Sequence, residues 1–396
     1  MSDPRIPLSN CLPTEIEYHN CLEQPFEVLG LYEPHSTGRF YRLPRYLFED
    51  ESINDGVKTN AKHSSGGRVR FATDSPWIVV AAEVAPKGIT SHTTLGGASG
   101  IDVYVAPRGR VNRTYRVCCF AQSVSPDYPV AYPPDALPEG LVNINYGEHL
   151  DPRINPVIQT CYYFAIHDLH DEHEVELNLP NYSTLFQIYV GIQPGSQIFA
   201  PRPYTNRCPV LAYGSSIDQG CAASRPGNTW LSHIGRRLDI DTINLGFSGA
   251  DRGEAALAHF IAEQKISLFV MNYEANIPSI EHLEQTYRPF YEIVRRAQPD
   301  LPIILVSMPR YPKVPDRSPQ PRIDRNRTNR IIVDTYNYGL SQGDQNLYYV
   351  DGSTLYGGSD QDACIVDHIH PNDLGFLRMA DRFESVIRQA LGLYYN

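Results

Sequence analysis

Hydrophobic and polar positions follow a short, strand-like rhythm in the first half of the chain, from about residue 26 to residue 192. The segments are rich in Val, Ile, Thr and Tyr, and clusters of Gly, Pro, Asn and Asp separate them. Such segments at regular spacing predict an antiparallel β-sandwich. We therefore assign residues 1–192 to an all-β, jelly-roll-like sandwich domain without long helices. The main segments are GRVRFATDSPWIVVAAEV (67–84), GIDVYVAPRG (100–109), RTYRVCCFA (113–121) and HEVELNLPNYSTLFQIYVGI (173–192).

The pattern changes from about residue 208, where short apolar runs alternate with longer segments of helical period. This alternation predicts a parallel sheet covered by helices on both faces, an α/β domain of the three-layer, doubly wound (flavodoxin-like) kind. We assign it to residues 209–396, and the Pro- and Gly-rich stretch 193–208 to a linker. Predicted strands are 209–213, 241–246, 266–273, 302–308 and 346–352, and predicted helices are 229–238, 253–264, 279–298, 324–343 and 371–392.

Composition narrows the class of protein without identifying it. The chain has 396 residues, 42% of them apolar, and a formal net charge of −11. A chain without basic excess is a poor binder of nucleic acid. No apolar run approaches the length of a membrane span, and the N-terminus has no signal-peptide pattern, so we expect a cytoplasmic protein without membrane contact. The eight cysteines form no C-x-x-C pair that would indicate zinc.

Chemically useful residues follow four of the predicted strands. In doubly wound domains, sites form beyond the carboxyl ends of the strands. These turns supply hydroxyls, the backbone N–H of a glycine, side-chain amides and an Asp/His pair. Hydrolysis through an acyl-enzyme needs such groups as nucleophile, base, orienting carboxylate and oxyanion donors. The four turns are Gly214-Ser215-Ser216, NLGFSGADRG (244–253), NYEAN (272–276) and DHIHPNDLG (367–375).

These four blocks, in this order, resemble those of the SGNH (GDSL-type) hydrolases. The Asp-x-x-His-Pro of residues 367–371 is the most specific element, and Gly-Ser-Ser replaces the usual Gly-Asp-Ser, a variant familiar among relatives that act on sugar esters. The resemblance implies Ser216 as nucleophile, His370 as base and Asp367 as its partner. It implies no metal or organic cofactor. Asp218 stands where the family has threonine.

The resemblance also implies an oxyanion hole. Its donors would be the backbone N–H of Ser216, the backbone N–H of Gly249 and the side chain of Asn276. Gly246 and Asn272 are the alternatives for the last two positions. The family block around the asparagine is altered, because Glu274 replaces its glycine and Ile277 its aspartate.

The first half carries a second signature. Its GIDVYV (100–105) resembles the Gly-x-Asp-Leu-Tyr motif of a sandwich module that precedes SGNH domains, with Val103 in place of Leu. From the residues alone we expect structural roles: a turn at Gly100, a local hydrogen bond from Asp102 and packing of Tyr104. FYRLP (40–44) fits the same architecture.

We therefore predict a serine esterase that acts on carboxylic esters, with an acetyl ester on a carbohydrate as the favoured substrate. Its partner would be a small-molecule or oligosaccharide ester. A short lipid ester or thioester is an alternative substrate, and a glycan-binding protein with a degenerate hydrolase domain is an alternative function. Homo-oligomerisation could close the site.

Two further segments allow more than one interpretation. The series His167, His170 and His173 suggests a metal site, although a charged loop is the plainer interpretation. The basic loop 309–322 could be a substrate loop or a connector.

Overall fold

The computed structural model describes residues 15–85, 92–119, 160–166, 169, 171–309 and 323–393. The first half forms two antiparallel sheets, with strand orders β1-β9-β4-β7 and β10-β3-β8-β5-β6, and β2 pairs with β3. The strands are β1 (Glu17–Asn20), β2 (Glu27–Leu29), β3 (Arg68–Thr73), β4 (Ile78–Val84), β5 (Ile101–Pro107), β6 (Thr114–Cys119), β7 (Thr160–Ile166), β8 (His173–Asn178), β9 (Leu185–Ile192) and β10 (Ile198–Phe199).

The alternation of side chains explains the packing of these sheets. On β3, Val69 and Phe71 point into the core shared with β4, whereas Arg68 and Arg70 point to the other face. That second face is also buried, because Arg68 pairs with Asp241 of the second half and Arg70 lies against Glu176. The predicted sandwich is confirmed, and one of its faces docks on the α/β domain.

Helices in the first half are short, as predicted. They are α1 (Pro34–Thr37), α2 (Arg45–Glu49), α3 (Asp55–Ala61) and α4 (Leu95–Ser99). The segment 193–208, predicted as a linker, contains β10, which pairs with β3 through Ile198 and Thr73. Apolar residues of segment 43–61 join the core of the second half: Leu43, Leu47, Ile53, Val57 and Ala61.

The second half is a five-stranded parallel sheet with helices on both faces. Its strand order, β12-β11-β13-β14-β15, is the flavodoxin-like order 2-1-3-4-5 and confirms the predicted fold class. The strands are β11 (Asn206–Gly214), β12 (Ile240–Gly246), β13 (Leu268–Asn272), β14 (Ile303–Val306) and β15 (Leu347–Val350); the helices are α5 (Ser216–Gln219), α6 (Trp230–Leu238), α7 (Ala255–Ala262), α8 (Ile280–Ala297), α9 (Arg325–Ser341) and α10 (Asp373–Leu391).

Continuous apolar strands are expected where both faces are covered. Along β11, Leu211 and Tyr213 face the layer of α7, α8 and α9, and Val210 and Ala212 face the layer of α6 and α10. The chain order reverses between β11 and β13, so the end of β11 lies at the switch point of the sheet. Among the described helices, none is both long and apolar enough to cross a bilayer.

Two features noted in the sequence lie wholly or mainly outside the described residues. They are the loop 310–322, and His167 with His170. His173 is described and begins β8, where its Nδ1 lies 3.0 Å from the carbonyl oxygen of Asp171.

Candidate active site

The turn between β11 and α5 presents Ser216 at the switch point. Ser215 is the N-cap of α5: its hydroxyl accepts from the backbone N–H of Ile217, and the carboxylate of Asp218 accepts from the backbone N–H of Ser215 at 2.9 Å. This reciprocal cap fixes the turn. Gly214 must lack a side chain, because a Cβ there would overlap the Asp218 carboxylate.

A chain of hydrogen-bonding groups runs from Ser216 to the C-terminal loop. The hydroxyl oxygen of Ser216 lies 2.8 Å from Nε2 of His370, and Nδ1 of His370 lies 2.8 Å from a carboxylate oxygen of Asp367. Ser216 is only 8% exposed. His370 thus contacts both Ser216 and Asp367, in the order that a serine nucleophile, a base and an orienting carboxylate require.

The loop before α10 shapes the Asp367–His370 pair. Asp367 accepts hydrogen bonds from the backbone N–H groups of Ile369, at 3.2 Å, and His370, at 2.8 Å. Burial raises the pKa of Asp367, but the hydrogen bonds from the His370 backbone and side chain outweigh it and leave the pKa below its usual value. His368 adopts a left-handed conformation at the turn and is exposed.

Among the described residues, two backbone N–H groups near the Ser216 hydroxyl have no hydrogen-bond partner. Those of Ser216 and Gly249 donate no hydrogen bond within the part of the chain that the structure describes. Ser216 is the first residue of α5, where a helix leaves its N–H groups unsatisfied. Gly249 has a positive φ of 70°, which glycine adopts without strain. Gly246 instead packs tightly under α5, where a Cβ would overlap the Gln219 backbone.

The two candidate asparagines have different surroundings. Asn272 is buried, and its side-chain amide donates to both carboxylate oxygens of Asp218, at 3.1 Å each. Asn276 is partly exposed on a one-turn 3₁₀ helix after β13, and its amide donates one hydrogen bond to Asp251. An amide nitrogen carries two hydrogens, so Asn276 keeps one for another acceptor.

Two buried carboxyl groups, those of Asp218 and Asp251, lie behind this site. The sequence did not indicate a structural role for either of them. Burial raises the pKa of Asp218 to about 6, against the lowering effect of hydrogen bonds from Asn272, Ser215 and Trp230. Burial also raises the pKa of Asp251 well above its ordinary value, although Asn276 donates to it. Asp218, which stands where the resemblance predicts threonine, therefore stabilises the turn that carries Ser216.

The raised pKa of Asp218 predicts that the stability of the folded protein depends on pH. The pKa of Asp218 rises from 3.8 to about 6 on folding, so the folded state binds more protons between these values, and its contribution to stability is lost as pH rises through 6. We expect the free energy of unfolding of wild type, taken relative to that of Asp218→Asn, to fall by about 2.5 kcal/mol from pH 4 to pH 7. Urea unfolding at several pH values measures it. Asp381→Asn, at an exposed pair with Arg237, is the control, and parallel curves for wild type and Asp218→Asn would contradict the prediction.

The N-terminal domain holds the loop after β12 in place. Arg42 is buried and donates to the carbonyl oxygens of Asn244, at 3.0 Å, and Gly246, at 2.6 Å. Burial lowers its pKa to about 9. From α3, Asn60 donates to the carbonyl of Ser248, and its N-cap Asn54 to that of Ala250. Carbonyls on both sides of Gly249 are thus held by the first half of the chain.

The motif of residues 100–105 makes a second interdomain contact. Asp102 is fully buried, and one of its oxygens accepts from the Arg225 guanidinium and from the backbone N–H of Gly227, at 2.9 Å each. Arg225 also donates to the hydroxyl of Tyr104 at 2.5 Å. The expectation of a local hydrogen bond for Asp102 is therefore wrong, because its partners lie more than 120 residues away, just beyond the nucleophile helix.

His92 is a neighbour of the Asp367–His370 pair that the sequence did not reveal. It lies in SHTTLGG (91–97), where nothing in the pattern indicates a site. Its ring stacks on that of His370, with centroids 4.7 Å apart and planes 5° from parallel, and its Nδ1 lies 3.6 Å from Asp367. Among the described residues, donor atoms of His92, Cys221 and His370 lie within 4.8 Å of one another, a spacing that could hold a metal. The in-plane lone pairs of parallel rings do not converge, so we interpret His92 as a packing neighbour of His370 and not as a metal ligand.

Each half of the chain matches a known protein family. Residues 207–388 match the GDSL-like Lipase/Acylhydrolase family, and residues 16–124 match the GxDLY family, the N-terminus of Esterase_SGNH_hydro-type. No curated protein matches the chain significantly.

Solved structures share the two-domain architecture. A protein from Bacteroides ovatus described as a GDSL-like lipase has a TM-score of 0.77 at 23% identity, covering 96% of this chain and 100% of that one. The salicylyl-acyltransferase SsfX3 from a tetracycline biosynthetic pathway has a TM-score of 0.71 at 18% identity, with 96% and 99% coverage. The acetyl xylan esterase Est2A from the rumen bacterium Butyrivibrio proteoclasticus has a TM-score of 0.55 at 10% identity, with 96% and 100% coverage.

At these identities the structural likeness establishes the fold, and the two family matches establish the kind of domain in each half. A GDSL-like hydrolase domain follows the N-terminal module that accompanies such domains in esterases. The protein belongs to the SGNH (GDSL-type) hydrolases and is a carboxylic ester hydrolase with a GxDLY-type N-terminal domain.

Proposed function

We propose that the protein removes acetyl groups from a carbohydrate ester through an acyl-enzyme on Ser216. The observation that carries the proposal is the continuous contact from the Ser216 hydroxyl through both nitrogens of His370 to Asp367. A serine hydroxyl is a weak nucleophile alone and becomes effective when a positioned base takes its proton. Its place at the switch point leaves room for substrate beyond the strand ends.

The reaction runs in two halves. Ser216 Oγ attacks the ester carbonyl while Nε2 of His370 takes the hydroxyl proton. The tetrahedral intermediate collapses, the carbon–oxygen bond to the sugar breaks, and His370 passes the proton to the departing alkoxide. Water then attacks the acetyl-serine, with His370 again as base, and releases acetate and the free serine. Asp367 holds the imidazole in one tautomer and stabilises its charged form.

Three donors would stabilise the negative oxygen of the intermediate. The N–H groups of Ser216 and Gly249 have no described partner, and Asn276 keeps one amide hydrogen. Donors already in position require little reorganisation during the reaction, which is why such groups lower the barrier. The contacts from Asn60 and Asn54 support this arrangement, because they hold the carbonyls of Ser248 and Ala250 on either side of Gly249.

We expect Asn276→Ala to lower kcat by about 10²–10³-fold, the effect of losing one oxyanion donor. Asn272→Ala is the matched comparison: it removes a partner of buried Asp218 and should lower thermal stability more than the kcat of the folded enzyme. Steady-state kinetics and thermal unfolding of both variants measure the two effects. A larger loss of kcat in Asn272→Ala would assign the donor to Asn272 instead.

The substrate class rests on two supports. The Gly-Ser-Ser block resembles relatives that act on sugar esters, and esterases of carbohydrates share the two-domain fold. Acetate release from acetylated oligosaccharides, compared with butyryl esters and acyl thioesters of matched alcohols or thiols, tests the proposal. Preference for the acetyl sugar supports it. Preference for the longer acyl chain or the thioester would move the assignment to lipid esters or thioesters.

Acyl transfer is a second candidate, favoured by the likeness to the salicylyl-acyltransferase over nearly the whole chain. The same acyl-enzyme gives transfer if an acceptor alcohol, rather than water, attacks it. Product analysis with a donor ester and a series of acceptor alcohols separates the two. A transesterified product that dominates over free acid at millimolar acceptor would favour transfer.

A further inference from the structure

His92 reaches the triad from the other domain. Its ring covers one face of the His370 imidazole at 4.7 Å between centroids, and its Nδ1 lies 3.6 Å from Oδ2 of Asp367. The same Oδ2 lies 2.8 Å from Nδ1 of His370. Two imidazoles therefore lie beside one carboxylate oxygen, His370 within hydrogen-bond distance and His92 somewhat farther away, and His370 also contacts Ser216.

The segment that carries His92 is fixed to the catalytic domain. Thr94 donates to the carbonyl oxygen of Ala223 at 2.6 Å and accepts from the backbone N–H of Gly97, as the N-cap of α4. Thr93 lies 3.8 Å from the sulfur of Cys221. The backbone at Gly97 approaches Ala223 so closely that a Cβ would overlap its carbonyl. The contacts that Thr93, Thr94 and Gly97 make with the catalytic domain thus hold His92 over the triad.

We propose that His92 is a positioning residue of the esterase, which keeps the His370 ring oriented and limits its protonation. The inference rests on the proposed function, since it presumes that His370 is the base. A flat ring against one face of His370 restricts its rotation and keeps water from that face. A second imidazole on Oδ2 of Asp367 weakens the support that this oxygen gives to a charged His370.

The consequence is a particular pH dependence. The ionisable groups that face His92 are Asp367 and His370 on the C-terminal loop and the thiol of Cys221 after α5. The ring of His92 covers one face of His370 and lies beside the carboxylate oxygen that would stabilise a protonated His370, so we expect His92 to disfavour that form. Because the base must be neutral to act, removing His92 should raise the pKa of His370 and shift the acid limb of kcat/KM to higher pH.

Two variants separate the two parts of this role. His92→Phe keeps a flat ring over His370 but loses the group beside Asp367, so we expect an acid limb about half a pH unit higher and a plateau kcat within about twofold of wild type. His92→Ala loses both, so we expect the same shift and a plateau kcat about tenfold lower, with KM unchanged. His35→Gln, an exposed histidine whose ring contacts the backbone of Leu22 and Val28, should leave both values unchanged.

The experiment measures pH profiles of kcat and kcat/KM, thermal unfolding, and the rate at which a fluorophosphonate labels Ser216. An unmoved acid limb in both variants, with Ser216 still labelled, would overturn the role of His92 and leave the esterase assignment intact. The role would also be overturned if His92→Phe and His92→Ala lowered the plateau kcat equally and both lowered the melting temperature. That result would show that His92 only stabilises the fold. Absence of labelling in folded wild type would instead contradict the proposed function.

Discussion

Ser216→Ala is expected to lower kcat for ester hydrolysis by about 10⁶-fold, the loss that follows removal of the nucleophile from a serine triad. Without the hydroxyl no acyl-enzyme forms, and only the oxyanion donors and substrate binding remain to assist direct attack by water. The variant should fold normally, because Ser215 rather than Ser216 caps α5, and in the described part of the chain the Ser216 hydroxyl contacts only His370. Acetate release and intact-mass analysis after fluorophosphonate treatment measure the effect.

Ser215→Ala is the matched control. Ser215 is the neighbouring hydroxyl and the N-cap of α5, so its loss should cost about 1 kcal/mol of stability. Ser215→Ala should keep the fluorophosphonate adduct on the peptide that carries Ser216, whereas Ser216→Ala should lose it. Retained turnover in Ser216→Ala, or transfer of the adduct to another serine, would contradict the assignment.

Asp102→Ala is expected to lower the free energy of unfolding by about 3 kcal/mol, the lower part of the range for removing one partner of a buried ion pair. The change leaves the Arg225 guanidinium and the Gly227 N–H without their acceptor at a buried domain interface. Burial raises the pKa of Asp102 in spite of Arg225, so the charged carboxylate is itself costly there. For that reason the expected loss stays at the lower end.

Urea unfolding at neutral pH measures this loss, and two further variants calibrate it. Asp102→Asn keeps an acceptor for the Gly227 N–H and should lose roughly half as much. Asp381→Ala breaks an exposed pair with Arg237 and should cost less than about 1 kcal/mol. If Asp102→Ala were no more destabilising than Asp381→Ala, the contacts of residues 100–105 with the second domain would not stabilise the protein.

The interdomain contacts give the N-terminal domain a part in the candidate active site. It holds the loop of Gly249 through Arg42 and Asn60 and the segment beyond α5 through Asp102, and its His92 covers one face of the His370 ring. Apolar residues of segment 43–61 also complete the core beside β12 and α7. Removing the sandwich would therefore expose apolar surface of the hydrolase domain and release its catalytic loops.

The sequence by itself determined the element types, their order and the positions of the candidate catalytic residues relative to the strands. Those properties are local: the apolar runs of β11 to β15 and the helical periods between them are read from neighbouring residues. The strand–helix alternation then requires parallel strands, so residues after different strands, such as Ser216 and Asn276, were expected at one edge of the sheet.

Only the tertiary structure decided which distant groups meet. The partners of Asp102 and the ring that covers His370 depend on how the two domains pack, and the burial that raises the pKa values of Asp218 and Asp251 depends on how the loops at the strand ends pack within the second half. No periodicity encodes such contacts, because they depend on side-chain shape and desolvation, and those of Asp102 and His92 join segments more than 100 residues apart. His92 illustrates the limit: its sequence context is a Ser/Thr/Gly-rich turn, and its closeness to the triad arises from Thr94 and Gly97 docking on the loop after the nucleophile helix.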